Sequence, residues 1–522
     1  MPKWLDNAVF YEIYPQSFYD SNGDGIGDIQ GIILKLDYVK GLGCNALWLN
    51  PCFDSPFKDA GYDVRDYKNV ASRYGSNEDL FRLFDEAHKR GMRVLLDLVP
   101  GHTSEEHQWF VESKKAVPCE EFKNRYIWTN SWFFWGLEGL KFVAGEAERN
   151  GCYIINFFKS QPALNYGFLE CREKWQLPPE HPDCIATREA LKDIMRFWLK
   201  GDKGRGCDGF RVDMADSLVK FDDAEKSATS AIWRNIREML DGEFPEAAIV
   251  SEWSSPPLSL KAGFHMDFML DHASSGYRSL VRDYEDGEEN NSYFKKGGSG
   301  DIASFLDQYM PWYEATKNYG FISMISGNHD TPRVSHGLSP REVSLFYALL
   351  FTMPGVPFLY YGDEIGMRYL HRLPTKEGGY TRTGSRTPMQ WNPGANAGFS
   401  NAAPEKLYLP VDAESGAPDV ESQEKDPRSL INTVKDLLRL RNSNEELGSK
   451  PNLQILHTGI KGDRSFFYKR DAFIMGLNPA SSAAQVMVSV EKTPELVYSI
   501  GGCKIEKGIF KLEPQSFGVW KC

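Results

Sequence analysis

The chain has 522 residues, of which 41% are hydrophobic, 25% are charged and 13% are aromatic. Its 60 basic and 72 acidic residues give a formal net charge of -12 without any long basic run, which argues against nucleic acid or an anionic membrane as a partner. This length exceeds that of one compact core, so we expect a large domain with one or two smaller units.

The N-terminal residues contain no apolar stretch of signal-peptide length, and nowhere is an apolar run long enough for a transmembrane helix. The nine cysteines, an odd number, are scattered without the paired spacing of a zinc site. Such a distribution favours reduced thiols. We therefore expect a cytoplasmic protein without a membrane partner.

Eight strand-like runs follow one another along the chain and predict a closed barrel. They lie at residues 8–14, 45–50, 94–99, 209–212, 248–251, 264–269, 321–325 and 358–361. Amphipathic helical patterns stand between several of them, at 77–90, 188–200 and 230–240. Since strands that alternate with helices indicate a parallel sheet, the predicted fold class is α/β, a (β/α)8 TIM barrel.

Two smaller units are predicted beside the barrel, which is assigned residues 1–102 and 166–445. Residues 103–165 are rich in aromatic side chains and too long for an ordinary βα loop, which indicates an inserted subdomain. After a helical pattern at 429–441 the sequence changes to short alternating strands at 465–469, 473–477, 485–490 and 516–519. Residues 446–522 are therefore predicted to form an all-β sandwich.

A loop rich in oxygen-bearing side chains follows the first strand-like run, at residues 20–28 (DSNGDGIGD). The candidate metal ligands are Asp20, Asn22, Asp24, Asp28 and the backbone carbonyl of Ile26. This set suits a hard cation such as Ca²⁺. An EF-hand is excluded because glycine, at position 31, replaces its bidentate Glu. The alternative is a solvated turn that is rich in Asp and Asn.

Three acidic residues come directly after strand-like runs or close to their ends. They are Asp213 in GFRVD, Glu252 in IVSEW and Asp330 in ISGNHD. A parallel barrel brings the carboxyl ends of its strands to one rim, so these acids should converge. Glycosidic bond cleavage requires one carboxylate that attacks and one acid that protonates the leaving oxygen. A single such acid is more often a helix cap or a solvated loop residue, but three in these contexts favour an active site.

Eight ordered motifs give the chain a resemblance to a known family. They are VFYEIYPQSF, DLVPGHTS, QPALN, GFRVD, EW, NHD, GVPFLYYGDE and RTPMQW. In this order they resemble glycoside hydrolase family 13, the α-amylase superfamily, and within it the branch of oligo-1,6-glucosidases, α-glucosidases and trehalose synthases. The resemblance covers nearly the whole chain. It implies a retaining α-glycosidase that hydrolyses short α-glucosides, with an oligosaccharide or disaccharide as its partner.

The resemblance also implies roles for the three acids. Asp213 matches the nucleophile, Glu252 matches the general acid and base, and Asp330 matches the third acid, which holds substrate hydroxyls. Arg211 is expected to keep Asp213 ionised by charge pairing. Glu252 has to begin the reaction protonated, so a site that raises its pKa relative to that of Asp213 is expected.

Further residues resemble the family's binding site for the sugar at the cleavage point. His102 and His329 match a pair that grips hydroxyl groups, Asp97 is expected to support His102, and Tyr62 matches an aromatic platform.

An ion pair of Asp59 with an arginine resembles the one that closes the pocket in exo-acting members. The spacing leaves Arg382 and Arg386 open as the partner. The loop at 20–28 resembles a structural calcium site of this branch, with Mg²⁺ as an alternative occupant.

Two departures from the family pattern leave questions open. Gly101 stands before His102 where Asn is usual, which predicts that an interdomain calcium site is missing. Met214 follows the nucleophile, where Val accompanies α-1,6 and Thr α-1,4 preference, so the linkage is not predicted. The alternatives are an intramolecular transglycosidase such as trehalose synthase, and a non-catalytic barrel that binds sugar or partners a transporter. The presence of both catalytic acids disfavours the second, and the oligomeric state is open.

Overall fold

The computed structural model describes residues 1–271, 275–284, 289–459, 462–490 and 493–522. Within these residues eight parallel strands form one sheet. They are β1 Phe10–Ile13, β2 Ala46–Leu49, β3 Arg93–Leu98, β4 Gly209–Val212, β5 Ala248–Ser251, β6 Met266–Met269, β7 Phe321–Met324 and β8 Phe358–Tyr360. Each lies on a predicted run, so the predicted (β/α)8 barrel is confirmed.

The strands pair around the barrel in chain order. β1 pairs with both β2 and β8, and parallel pairing continues from β2 through to β7. A parallel bridge between Ile325 and Phe358 closes the ring between β7 and β8. Because all strands run in the same direction, their carboxyl ends meet at one rim, where TIM-barrel enzymes place their active sites.

Gly209 allows β4 to pair closely with β5. Its φ is +142°, and a Cβ at this position would lie 1.8 Å from the carbonyl oxygen of Ala248. Only glycine fits such a contact without moving the neighbouring strand. The close pairing matters for function because β4 and β5 lead directly into the two predicted catalytic acids.

Helices cover the outside of the barrel. In the described part of the chain they are α1 Ile29–Leu42, α2 Asn77–Lys89, α3 Gln108–Ser113, α4 Pro182–Lys200, α5 Ser227–Glu243, α6 Pro256–Ser259, α7 Arg278–Val281, α8 Ala303–Thr316, α9 Pro340–Thr352, α10 Val420–Glu424 and α11 Leu430–Asn442. The four predicted helical patterns fall on α2, α4, α5 and α11. Ser76 and Asp79 form a capping box at the start of α2, which fixes its first turn. None of the described helices is both long and apolar enough to span a bilayer.

The predicted insertion contains α3 and an antiparallel hairpin of Lys141–Val143 with Tyr153–Ile155. A second small antiparallel pair, Phe53–Asp54 with Asp66–Val70, follows β2 and was not predicted. Its residues alternate too briefly to stand out from a loop. The boundaries of the insertion at 103 and 165 stay predictions.

The C-terminal region is built of antiparallel strands, in two sheets. Its strands are β9 Leu453–Thr458, β10 Phe466–Arg470, β11 Phe473–Asn478, β12 Ala484–Met487, β13 Glu495–Ile500, β14 Cys503–Glu506, β15 Ile509–Leu512 and β16 Ser516–Lys521. The order is β9-β10-β11-β16-β13 in one sheet and β12-β15-β14 in the other. Phe467, Ile474, Phe510 and Trp520 belong to one buried cluster with side chains from both sheets, as a sandwich requires.

Candidate active site

Three carboxylates stand at the carboxyl ends of β4, β5 and β7. Asp213, Glu252 and Asp330 all line one cavity of about 370 Å³. Its other lining residues are Asp59, Tyr62, His102, Lys141, Phe157, Phe158, Met214 and Arg382. A larger cavity of about 960 Å³ shares Asp330 with it, but neither Asp213 nor Glu252 lines that cavity. The smaller cavity is therefore the candidate active site.

The register of β4 against β5 sets the two catalytic carboxylates next to each other. Val212 is paired with Ser251, and the N–H of Glu252 donates to the Val212 carbonyl at 2.9 Å. The N–H of Met214 donates to Glu252 Oε2 at 3.1 Å. Met214 has a φ of 42°, a strained conformation for a residue other than glycine. The acid thus holds the turn that follows the nucleophile.

Arg211 joins three acids through one buried guanidinium, whose side chain is 1% exposed. Its Nη1 lies 2.8 Å from Asp97 Oδ1 and 3.0 Å from Asp213 Oδ1. Its Nη2 lies 2.7 Å from Glu252 Oε2. The planar fork of an arginine holds several carboxylate oxygens in fixed positions, which a lysine does not do. Arg211 therefore orients the nucleophile and the acid together.

The expectation that Arg211 keeps Asp213 ionised stays a prediction. Burial raises the pKa of Asp213 well above its ordinary value, and the neighbouring Glu252 raises it further. Arg211 acts in the opposite direction and lowers it.

Asp330 is held by two arginines. Its Oδ1 accepts from Arg386 Nη2 at 2.7 Å and from Arg382 Nη1 at 3.0 Å. Burial alone would raise the pKa of Asp330, but the positive charges of Arg386 and Arg382 hold it well below its ordinary value. Asp330 is therefore a carboxylate at any physiological pH and can accept hydrogen bonds from sugar hydroxyls.

The ion pair with Asp59, which the sequence left open between two arginines, is made by Arg382. Arg382 Nη2 lies 3.4 Å from Asp59 Oδ1, and Gln161 donates to the other carboxylate oxygen at 2.7 Å. Arg386 is buried and contacts Asp330 instead. Arg382 thus joins Asp59 to Asp330 across one wall of the cavity.

Tyr62 lines the cavity, and its ring stacks on the ring of His329 with centroids 5.3 Å apart. The Tyr62 hydroxyl donates to Asp97 Oδ2 at 3.0 Å and lies 2.7 Å from His329 Nε2. His329 Nδ1 lies 3.1 Å from Glu12 Oε1, and its side chain is 1% exposed. Both ring nitrogens of His329 thus have protein partners, and its grip on substrate hydroxyls stays a prediction. Burial lowers the pKa of His329 to about 3, so it is neutral.

Asp97 does not support His102, contrary to the expectation. Its carboxylate is taken by Arg211, Tyr62 and Trp48, and burial raises its pKa to about 6.

The partners of His102 come from elsewhere in the chain. Its Nε2 lies 3.1 Å from the carbonyl oxygen of Tyr62, and its Nδ1 lies 3.2 Å from Asn156 Nδ2. Asn156 Oδ1 accepts from Lys220 Nζ at 3.2 Å. A Cβ at Gly101 would lie 3.0 Å from Asn156 Nδ2, so Asn156 occupies the space beside the glycine. This network was missed because its members are far apart in sequence and belong to no motif.

Asp267, at the second position of β6, also escaped the sequence analysis. Its carboxylate accepts from Ser251 Oγ at 2.7 Å and from the N–H groups of Trp253 and Ser255 at 3.2 and 2.8 Å. Asp267 therefore braces the turn that carries Glu252. Burial raises its pKa to about 7. A lone Asp inside an apolar strand was the available signal.

The loop at 20–28 is folded by its own side chains. Asp20 accepts three backbone N–H groups, and Asp28 caps the start of α1. The Asn22 and Asp24 side chains each accept the N–H two residues further on. The candidate metal ligands of this loop, including the Ile26 carbonyl, are all oxygen atoms, which suits a hard cation. Across the described residues no three His, Cys, Asp or Glu side chains are arranged to hold a metal ion, so a calcium site here stays a prediction.

Comparison with known proteins gives the chain its family. A family model described as the catalytic domain of α-amylase matches residues 12–449. A trehalose synthase/amylase, TreS, from Mycolicibacterium smegmatis is 33% identical over 495 residues, covering 85% of this chain and 77% of that protein. A glucan 1,6-α-glucosidase from Streptococcus pneumoniae is 32% identical over 518 residues, covering 89% and 90%.

Solved structures agree with this result. A mutant of the trehalulose synthase MutB has a TM-score of 0.80 at 25% identity and covers 99% of both chains. The α-glucosyl transfer enzyme XgtA has a TM-score of 0.78 at 26% identity and covers 100% of this chain and 99% of its own. Together with the three acids on one barrel rim, the match of the family model over most of the chain shows that this protein belongs to the α-amylase family, glycoside hydrolase family 13.

Proposed function

We propose that the protein is a retaining α-glucosidase that releases glucose from the non-reducing end of short α-glucosides. The observation that carries the proposal is the contact of one guanidinium with both Asp213 and Glu252, in a cavity that Asp330 also lines. Retaining glycosidases hold their two carboxyl groups closer together than inverting ones do, and the shared contact with one guanidinium supports the retaining arrangement.

The first step forms a covalent glycosyl-enzyme. Asp213 attacks the anomeric carbon while the bond to the leaving oxygen breaks, and Glu252 transfers its proton to that oxygen. This step requires that Glu252 carries the proton and that Asp213 is the carboxylate, the form that the charge of Arg211 favours. Asp330, which stays anionic, binds hydroxyls of the same sugar and stabilises positive charge on the ring in the transition state.

The second step restores the α configuration. Glu252, now a carboxylate, takes a proton from a water molecule. The oxygen of this water attacks the anomeric carbon, and the bond between that carbon and Asp213 breaks. Glucose leaves, and Glu252 again holds the proton. Two inversions at one carbon give net retention.

The wall formed by Arg382 and Asp59 supports exo action on short substrates. Arg382 touches Asp59 and Asp330 at once, so the cavity is bounded next to the acid that binds the first sugar. Its volume of about 370 Å³ suits a small ligand. A glucan chain that continued past the first sugar would have to displace this pair.

A second candidate function is intramolecular transfer, as in a trehalose synthase. Two matches favour it. A relative named trehalose synthase/amylase is 33% identical to the chain, and the similar solved structures include a trehalulose synthase. The same three acids serve both reactions. Access of water to the glycosyl-enzyme decides between them.

The experiment that separates these functions is NMR of the first products, recorded before mutarotation, from maltose, isomaltose, trehalose, sucrose, kojibiose and nigerose. Release of α-glucose supports retaining hydrolysis and identifies the linkage. A new disaccharide with little free glucose supports transfer. The Asp213→Asn variant is the matched control, and full-rate turnover by this variant would exclude Asp213 as the nucleophile.

We further propose a structural Ca²⁺, or Mg²⁺ in its place, in the loop at 20–28. The oxygen donors of Asp20, Asn22, Asp24, Ile26 and Asp28 support it, and the ion would hold the loop without taking part in bond cleavage. Chelation should lower the melting temperature of the wild type but not of an Asp24→Ala variant. No shift in the wild type, with no metal in elemental analysis, would remove this site.

We also propose that the protein acts in the cytoplasm on imported oligosaccharides. All nine cysteines lie within the described residues and are free thiols, which suits a reducing compartment. Fractionation of cells with an antibody against the protein tests this location.

A further inference from the structure

The inserted subdomain exposes a row of aromatic side chains. Trp132 is 59% exposed, Phe133 57% and Trp135 90%, within the segment SWFFWG. Neighbouring rings contact each other edge to face, with centroids 5.7 Å apart for Trp132 and Phe133 and 5.0 Å for Phe133 and Trp135. We name these three side chains the aromatic ridge. A contiguous exposed apolar patch of this kind marks an interaction site more often than scattered single residues do.

The ridge is held in place by its neighbours. Phe134 turns inward and packs on Phe142 and Trp175, with centroids 5.0 and 5.8 Å away. The N–H of Trp132 donates to Asn150 Oδ1 at 2.8 Å. One aromatic residue of the segment therefore anchors the backbone and leaves the other three directed outward. A rigid, outward platform loses little conformational entropy when it binds a ligand.

The ridge lies close in sequence to a strand that reaches the active-site cavity. Residues 136–140 separate it from the strand Lys141–Val143, where Lys141 lines the cavity and is paired with Ile155 in the hairpin. Phe157, two residues beyond Ile155, also lines the cavity and is 43% exposed. The loop that carries the ridge therefore enters the hairpin at the same end at which the segment with Phe157 leaves it.

The charge around the ridge indicates the class of ligand. Residues 130–140 contain one charged side chain, Glu138, and no basic one. A segment without basic side chains does not itself attract anionic lipid or nucleic acid. Aromatic faces that lack nearby charge suit the apolar faces of pyranose rings, which are neutral and rigid.

We propose that the aromatic ridge binds the distal glucose units of a longer α-glucan or oligosaccharide whose end is cleaved in the cavity. This inference rests on the proposed glucosidase function and adds a second region of substrate contact outside the catalytic pocket. The ridge then sets the preference for chain length, while the three acids set the chemistry.

The test compares substrates of different length. A Trp132→Ala, Phe133→Ala, Trp135→Ala triple variant should keep the kcat/KM of the wild type for a disaccharide. Its kcat/KM for an oligosaccharide of about seven glucose units should fall about tenfold. Tyr319→Ala is the matched control, because Tyr319 is a 55% exposed aromatic residue directly before β7, at the opposite rim of the barrel. This variant should leave both values unchanged.

A binding measurement separates failure of this inference from failure of the proposed function. In the Asp213→Asn variant with an unchanged ridge, tryptophan emission should shift on titration with the long oligosaccharide. Titration with the disaccharide should give no shift. Phe133→Ala, which keeps both ridge tryptophans as reporters, should weaken this shift. An unchanged length preference in the triple variant overturns the inference. Ridge-dependent binding to phosphatidylcholine vesicles, or ridge-dependent self-association in sedimentation, without any response to oligosaccharide also overturns it.

Discussion

Replacement of Arg211 by Met tests the electrostatic basis of the site. The guanidinium contacts Asp97, Asp213 and Glu252 at 2.7 to 3.0 Å and is 1% exposed. Removal of an opposite charge at this distance raises a carboxyl pKa by about 1–3 units. Because one pKa unit corresponds to about 1.4 kcal/mol, ionising the nucleophile should cost about 1–4 kcal/mol more.

The assay is kcat/KM for a chromogenic α-glucoside as a function of pH. Since the attacking form of Asp213 is the carboxylate, the acid limb should move to higher pH by about 1–3 units in Arg211→Met. Arg211→Lys should move it less, because an ammonium group reaches fewer of the three oxygens at once. Equal loss of activity at all pH values, with an unmoved acid limb, would show that Arg211 only positions the acids and would refute this reasoning.

Stability needs a separate control, since breaking a buried ion pair costs about 3–5 kcal/mol. Arg441 is 2% exposed and donates to the carbonyl oxygens of Phe351, Met353 and Gly355, far from the cavity. Arg441→Met should lower the melting temperature while it leaves the pH profile unchanged. A shift of the acid limb in this control would mean that the limb reports unfolding.

Three further predictions concern residues around the site and in the barrel wall. Asn156→Ala removes the contact with His102 Nδ1, so transition-state binding should weaken by about 1–3 kcal/mol, which lowers kcat/KM about 5- to 160-fold. The melting temperature should change little. Arg382→Ala opens the wall at Asp59, and KM for a disaccharide should rise more than kcat falls, as steady-state kinetics will show. Burial raises the pKa of Glu364 to about 7, so the folded state holds this proton more tightly than the unfolded state. The free energy of unfolding should therefore fall as pH rises from about 4.5 to about 7. Calorimetry should find this pH dependence reduced in Glu364→Gln.

The barrel could be predicted from the sequence because its strands are buried on both faces. A parallel strand covered by helices reads as a short continuous apolar run, and each predicted run overlaps an observed strand, with ends that differ by at most a few residues. The C-terminal strands were harder, since β9, β13, β14 and β15 were not predicted. Most residues of Glu495–Ile500 and Cys503–Glu506 are exposed or half-buried, so no clean alternation marks them.

The acids of the site could be predicted because each lies at or near the end of a strand. The partner of Asp59 could not be, since Arg382 and Arg386 differ by one turn of a short helix and only the packed structure directs Arg382 to Asp59. The environment of His102 was missed for a similar reason. Asn156 comes from the insertion, and its position beside Gly101 depends on how the insertion docks on the barrel.

The barrel and the insertion contribute different residues to the active-site cavity, and this difference affects the choice between hydrolysis and transfer. The three acids to which we assign bond cleavage come from the barrel, at or after the ends of β4, β5 and β7. Lys141, Phe157 and Phe158, which line the same cavity, come from the insertion. An acceptor sugar that is retained after bond cleavage has to be shielded from water. Relatives of this chain include proteins named as a synthase and as a glucosidase. We therefore expect exchange of residues 131–158 to change the ratio of transfer to hydrolysis, while Asp213 stays essential for both reactions.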